Sequence, residues 1–242
     1  MPRRKRTAGG AQHMDEAGGV YPSNEYGRYC VPEGLEDRPA ARAVIAGRAY
    51  EPDTLRFMRQ HAGDGDIIHA GTFFGDFLPA LSTGLAEGRK LWAFEPNPGN
   101  FAAARKTIAL NGLANVELTN AALSNRDGAV LFRTRDAEGR SLGGLSHFVE
   151  EPGDGIESVS AVMLDYTVPL TRKVSILQLD VEGHEKQALR GAWHIVHRSK
   201  PILVLEYFRQ EAWIRRTFRG LGYAHRGKLH SNHVYSCDPL EV

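Results

Sequence analysis

Asp66-Ile-Ile-His-Ala-Gly-Thr-Phe-Phe-Gly-Asp76 is the stretch whose reading decides the fold. A short apolar run ends in a glycine turn, and helix-compatible sequence follows over residues 75–86, where Pro79 is tolerable only near the first turn. About twenty residues later, Leu91-Trp-Ala-Phe-Glu-Pro-Asn-Pro98 is a second apolar run, and it ends in a carboxylate. Strand, glycine turn, helix and acid-tipped strand are how a chain builds a nucleoside crevice at the ends of parallel strands.

The alternation continues outward from there. Asn97 can cap the next helix, Pro98 suits its first position, Phe101, Ala104 and Ile108 share one face, and Asn111-Gly112 ends it. Residues 116–120 read as a third strand. Strand patterns at 129–134 and 157–164 flank a polar, glycine-rich insert, taken as residues 135–156. Val174-Ser-Ile-Leu-Gln-Leu-Asp180 and Pro201-Ile-Leu-Val-Leu-Glu206 are buried strands, each followed by a short helix. Residues 223–229 and 233–237 read as an antiparallel hairpin. The pattern predicts an α/β fold, a doubly wound, mostly parallel sheet with an antiparallel edge at the C-terminus. One domain over residues 25–242 suffices, with 25–62 as a helical lead-in. Residues 1–24, which open Met1-Pro-Arg-Arg-Lys-Arg6 and turn glycine-rich, read as a flexible basic arm.

Composition narrows the function. Thirty Lys and Arg against 29 Asp and Glu give a net charge of +1, so no whole-domain field marks a nucleic-acid binder. No apolar run reaches the length of a membrane span, and no signal-peptide core follows the basic start. Cys30 and Cys237 are the two cysteines, and their spacing favours a reduced protein. A cytoplasmic protein acting on a small molecule, without nucleic acid or membrane, is expected; a homodimer stays open.

Gly71 and Gly75 mark the turn where backbone amides can approach a ligand. Their G-x-x-x-G spacing differs from the G-x-G-x-x-G of a dinucleotide site, which argues against a nicotinamide oxidoreductase. Glu95, at the tip of the second strand, can accept hydrogen bonds from both ribose hydroxyls. The small side chains of Asn120-Ala-Ala-Leu-Ser124 leave room for an adenine, and Phe73 and Phe74 can wall the cofactor.

Phe94-Glu-Pro-Asn-Pro-Gly-Asn-Phe101, Asn111-Gly-Leu-Ala-Asn-Val-Glu-Leu118, Asn120-Ala-Ala-Leu-Ser124 and Leu179-Asp-Val-Glu-Gly183 together resemble the FkbM-type S-adenosylmethionine-dependent methyltransferases, over roughly residues 64 to 207. The resemblance implies the seven-stranded, Rossmann-like class I methyltransferase fold with an antiparallel last strand, and S-adenosylmethionine as cofactor. It places Gly71, Thr72 and Gly75 around the methionine part, Glu95 on the ribose, and Asn97 and Ala121 near the adenosine. His69 stands where the family usually has an aspartate, and Gln178 where a lysine is common.

Asp180, Glu182 and His184 follow the fourth strand, and alternation in an extended segment would turn all three to one side unless the turn at Gly183 breaks it. Asp180 is expected to contact the cofactor's amino group or orient the acceptor. His184 is expected as general base, since its ordinary pKa lies near neutrality. The spacings of His184, His225, His230 and His233 match no metal-ligand motif, so no metal is expected. The expected activity is O-methylation of a hydroxyl on a sugar or secondary metabolite. The alternatives are N-methylation of a small molecule and a decayed cofactor-binding or scaffold module.

Overall fold

Apolar runs bury both faces of the central strands. In the computed structural model, which describes residues 20–242, they are β1 (Asp66–Ala70), β2 (Leu91–Phe94), β3 (Val116–Thr119), β4 (Val174–Leu179), β5 (Ile202–Glu206), β6 (Ala224–Leu229) and β7 (Asn232–Ser236). The spatial order is β6-β7-β5-β4-β1-β2-β3, and β7 alone runs against its neighbours. This is the expected mixed, Rossmann-like sheet with one correction. The C-terminal hairpin forms, but its antiparallel strand is not the edge. All five residues of β7 are buried, whereas β6 carries Arg226 and Lys228 and is mostly half-exposed. The more apolar strand takes the inner position, between β5 and β6.

The helices are α1 (Pro39–Ile45), α2 (Pro52–His61), α3 (Leu78–Gly84), α4 (Pro98–Asn111), α5 (Leu164–Thr167), α6 (Glu185–Arg190), α7 (Trp193–Ser199) and α8 (Glu211–Thr217). Alternation along the strands sends Ile67, Ile176 and Val204 to the face covered by α2, α3 and α4, and Ile68, Leu177 and Leu203 to the face covered by α5 to α8. Strand order reverses between β1 and β4, and the crevice opens at their C-terminal ends.

Helix α4 starts and stops as its sequence predicts. Asn97 accepts from the amides of Gly99 and Asn100, Pro98 occupies the first turn, and Gly112 closes the helix at φ +61°. Of the expected inward face of Phe101, Ala104 and Ile108, Ala104 is in the core and Ile108 packs partly buried against it, while Phe101 does not join it. Asn100, Ala103, Ala104 and Thr107 are buried, while Phe101 and Ile108 are half-exposed. Internal hydrogen bonds explain the polar pair: Thr107 Oγ1 donates to the Phe74 carbonyl and accepts from the Cys30 amide, and Asn100 Nδ2 donates to the Gly143 carbonyl.

Of the arm expected over residues 1–24, residues 1–19 lie outside the described residues. The remainder is ordered: Val20 bridges Val31, and Ser23–Asn24 pairs with Gly27–Arg28. The glycine-rich insert is not all loop. It supplies a short helical turn (Gly143–Leu145) and a strand (His147–Val149), the outer member of a second, four-stranded sheet with Gly128–Arg133, Ile156–Val162 and Ala122–Leu123.

Asp66 anchors the opposite end of β1 from the crevice. Its fully buried carboxylate accepts from both Nε and Nη2 of Arg172, from the Trp92 indole and from the Lys90 amide. Removing the carboxylate strands the Trp92 indole and the Lys90 amide, while Arg172, a quarter exposed, keeps the Gly88 carbonyl. Asp66→Ala is expected to cost about 2–4 kcal/mol, measured as the fall in the urea-unfolding free energy.

Candidate functional site

Three strands end in an acid: Glu95 follows β2, Asp180 follows β4, and Glu206 closes β5. Their tips, the turn after β1, the lead-in before α2 and the insert enclose a cavity of about 510 Å³. Among the described residues, six acids line it, Glu51, Asp76, Glu95, Asp180, Glu182 and Glu206, against the one cationic side chain of Arg38. Ala121, Ala122, Leu123, Phe132 and Phe148 make its apolar side.

The turn after β1 is built around two glycines. Gly71 (φ +84°) lets the tip of β1 close against β4; a Cβ there would lie 2.0 Å from the Asp180 carbonyl oxygen. Gly75 (φ +87°) sits behind the wall, where a Cβ would press on Leu78 and Thr107. Four non-glycine residues with positive φ also line the cavity: Glu51, Phe73, Glu182 and Tyr207. Such backbone strain concentrates where function over-determines geometry.

Glu95 is almost fully buried, and both its oxygens are engaged. Oε2 accepts from the Phe73 amide at 2.7 Å, and Oε1 from the Asn97 amide at 2.8 Å and from Asn100 Nδ2 at 3.4 Å. Burial nevertheless pushes its pKa up to about 7, against the pull of these donors. Asp76 is likewise raised to about 7, again by burial first. Burial and the adjoining Glu206 carboxyl, which shares a hydrogen bond with it, hold Asp180 well above the usual carboxylate range.

His69 is buried between Phe77, on which it stacks at 5.3 Å, and Gln178, its neighbour on β4. Its Nδ1 bonds to Gln178 Oε1, and desolvation lowers its pKa to about 4, so the ring is neutral. The two departures from the family pattern are therefore one contacting pair, and no positive charge faces the cavity from this position.

Of the residues expected at the site, His69, Gly71, Phe73, Glu95, Ala121, Asp180 and Glu182 line the cavity. Thr72, Gly75 and Asn97 stand one layer behind: Thr72 donates to the His69 carbonyl, and Asn97 caps α4 while its Nδ2 donates to Ser146 Oγ in the insert. His184 departs from its expected place. Glu182 (φ +49°) and Gly183 (φ +90°) break the strand alternation, and the His184 ring stacks on Phe148 at 3.7 Å, off the cavity wall. Burial lowers its pKa to about 4. His225 and His233 bond to each other on β6 and β7, also away from the wall.

Arg38, Tyr50, Glu51, Asp76, Glu206 and Asn232 escape the sequence reading. Two of them carried a readable signal: Glu206 repeats the apolar-run-then-acid pattern of Glu95 and Asp180, and Asp76 adjoins Gly75. The insert closes the top of the cavity with Gly143, Gly144, Leu145 and Ser146. It is tied down by Asn97 and Asn100 and by Arg38, which donates to the Ser141 carbonyl.

The Methyltransferase FkbM domain model matches residues 62–225. No curated protein matches the chain significantly. Among solved structures, an FkbM methyltransferase from Methylobacillus flagellatus is similar at a TM-score of 0.48 and 17% identity, covering 72% of this chain and 43% of its own. A methyltransferase from Geobacter sulfurreducens gives 0.46 and 12%, covering 78% of each chain. A 16S rRNA N2 G1207 methyltransferase from T. Thermophilus, in complex with AdoMet and guanosine, gives 0.48 and 10%, covering 92% of this chain and 50% of its own. The chain thus spans less than half the length of the Methylobacillus protein.

The raised acids make stability depend on pH. A carboxyl whose pKa is higher folded than unfolded binds more protons in the native state, so its contribution is lost as pH rises through the folded pKa. The neutral buried histidines act in the opposite sense below about pH 6.5, so the acids are read by difference. Asp76→Asn is expected to gain stability relative to the wild type, by more than about 1 kcal/mol, as pH rises from about 5 to about 8. Urea unfolding of the ligand-free proteins measures it.

Proposed function

The chain belongs to the FkbM methyltransferase family, whose methyl donor is S-adenosylmethionine, and we propose that it methylates a hydroxyl of a small-molecule acceptor, a sugar or secondary metabolite. One observation carries the reading: the buried Glu95 carboxylate ends β2 on the cavity wall, beside the turn where Gly71 brings β1 against β4. Glu95 holds the ribose. Gly71 and Phe73 flank the methionine part, and Ala121 with Leu123 and Phe132 takes the adenine. Arg38 is the partner for the cofactor's carboxylate. Neutral His69 and the Asp180 carboxyl face its cationic end.

Transfer from a sulfonium is an in-line displacement. The acceptor oxygen's lone pair forms the new C–O bond, and the C–S pair leaves with sulfur as a neutral thioether, so no leaving group needs a proton. Alignment and exclusion of water are the protein's main contribution, and the insert supplies the cover. The hydroxyl proton must go to a base. With His184 behind Phe148, the carboxylates at the ends of β4 and β5 are the groups in place. The acid-rich wall also opposes a polyanion, which supports a small-molecule acceptor over a nucleic acid. Its charge suits an amine as well, so matched hydroxyl and amine acceptors decide the matter; transfer to the amine alone overturns the hydroxyl assignment.

Glu95→Ala is expected to weaken S-adenosylhomocysteine binding about 10- to 150-fold, the equivalent of losing a charge-assisted contact of about 1.5–3 kcal/mol. Calorimetry reads it directly. Unchanged affinity removes Glu95 from the ribose, and a wild type that binds no ligand at millimolar concentration makes the chain a decayed module instead.

A further inference from the structure

The tips of β4, β5 and β7 bring together oxygen atoms that no sequence spacing announces. One oxygen each from Asp180, Glu182 and Glu206 lies within 4.8 Å of the others. Asn232, the first residue of β7, is the register partner of Glu206 and lines the same cavity. It is 2% exposed, and its Oδ1 has no hydrogen-bond partner. The amide is not free to turn: Nδ2 donates to Glu51 Oε2 at 2.6 Å, and Thr54 Oγ1 donates to that same oxygen. An unsatisfied buried acceptor costs about 1–3 kcal/mol, and three clustered carboxylates repel one another. Both liabilities are relieved by the same occupant.

We propose that Asp180, Glu182, Glu206 and the amide oxygen of Asn232 form a binding site for a hard divalent cation. Oxygen-only ligands select magnesium, calcium or manganese over softer metals. Cation–oxygen distances are about 2.0–2.6 Å for magnesium and calcium, and carboxylate oxygens no more than 4.8 Å from one another are close enough for one ion to reach all three. Glu51 acts behind the ligands by fixing the Asn232 amide, as outer hydrogen bonds do at metal sites. A second cavity of about 260 Å³ adjoins the site, sharing Glu182, Glu206 and Tyr207 with the first. Cation binding stands on these atoms alone. Its use, to hold the acceptor's oxygen beside the methyl donor and ease loss of the hydroxyl proton, a part the same carboxylates play as bases when no cation is bound, rests on the methyl-transfer reading. The histidine spacings gave no hint of it because the ligands are carboxylates and an amide from three separate strands.

The test uses the full chain, stripped with chelator and titrated with Mn2+, the free ion being followed by electron paramagnetic resonance. A single bound Mn2+, displaced by Mg2+ or Ca2+, is expected. Glu206→Gln is expected to weaken it about tenfold or more, and Asn232→Ala, which removes the amide oxygen, to weaken it as well. Circular dichroism and melting confirm that each variant folds. Absence of bound Mn2+ at millimolar concentration overturns the site, and so does binding indifferent to both substitutions. Thermal stabilisation by methylammonium with no Mn2+ bound also overturns it, reassigning the oxygens to an amine. S-adenosylhomocysteine binding in chelator separates the two readings. If it persists while Mn2+ fails to bind, only the cation site falls; if it fails while Mn2+ binds, only the methyl-transfer reading falls.

Discussion

A single buried carboxylate holds the crevice together. Glu95 receives the amide of Phe73 from the turn after β1, the amide of Asn97 from the turn after β2, and the side chain of Asn100 from α4. Without it, two main-chain donors would be buried with nothing to accept from them, and the turns would have no common fixed point. Its next neighbours extend the reach: Asn97 and Asn100 fasten the insert through Ser146 and Gly143. One acid therefore couples the floor of the cavity to its cover, and any ligand that draws on its lone pairs touches both.

Opposing that clamp is the charge of the wall. Desolvation lifts the carboxyls of Glu95, Asp76 and Asp180 well above their ordinary range, which means that the ligand-free cavity stores unfavourable electrostatics. Under the proposed placement of the donor, its sulfonium and ammonium would meet that field. The neutrality of the His69–Gln178 pair fits the same logic, since a protonated ring at the tip of β1 would cancel part of it.

The fold was legible because its signals are local. Runs such as Asp66–Ala70 and Val174–Leu179 announce buried strands, and Asn97, Pro98 and Gly112 delimit α4 by capping chemistry that acts within a few residues. The inner placement of β7 was not legible, because it depends on comparing the burial of two strands across the whole sheet. Within the site, Gly71, Phe73, Glu95, Ala121, Asp180 and Glu182 lie on turns that follow strands directly, and the wall holds all six. His184 falls off the wall because the turn at Gly183, a glycine at φ +90°, ends the strand alternation. Tyr50, Glu51 and Asn232 arrive from distant segments, and only the folded sheet brings them to the crevice.

Because β7 runs opposite to the parallel strands, its first residue lands where theirs finish. Asn232 thus joins the pocket only once the chain has doubled back at the β6–β7 turn. The other described residues of the wall come from residues 38–207, so the pairing of β7 with β5 brings the last piece of the enclosure to sides built by earlier segments.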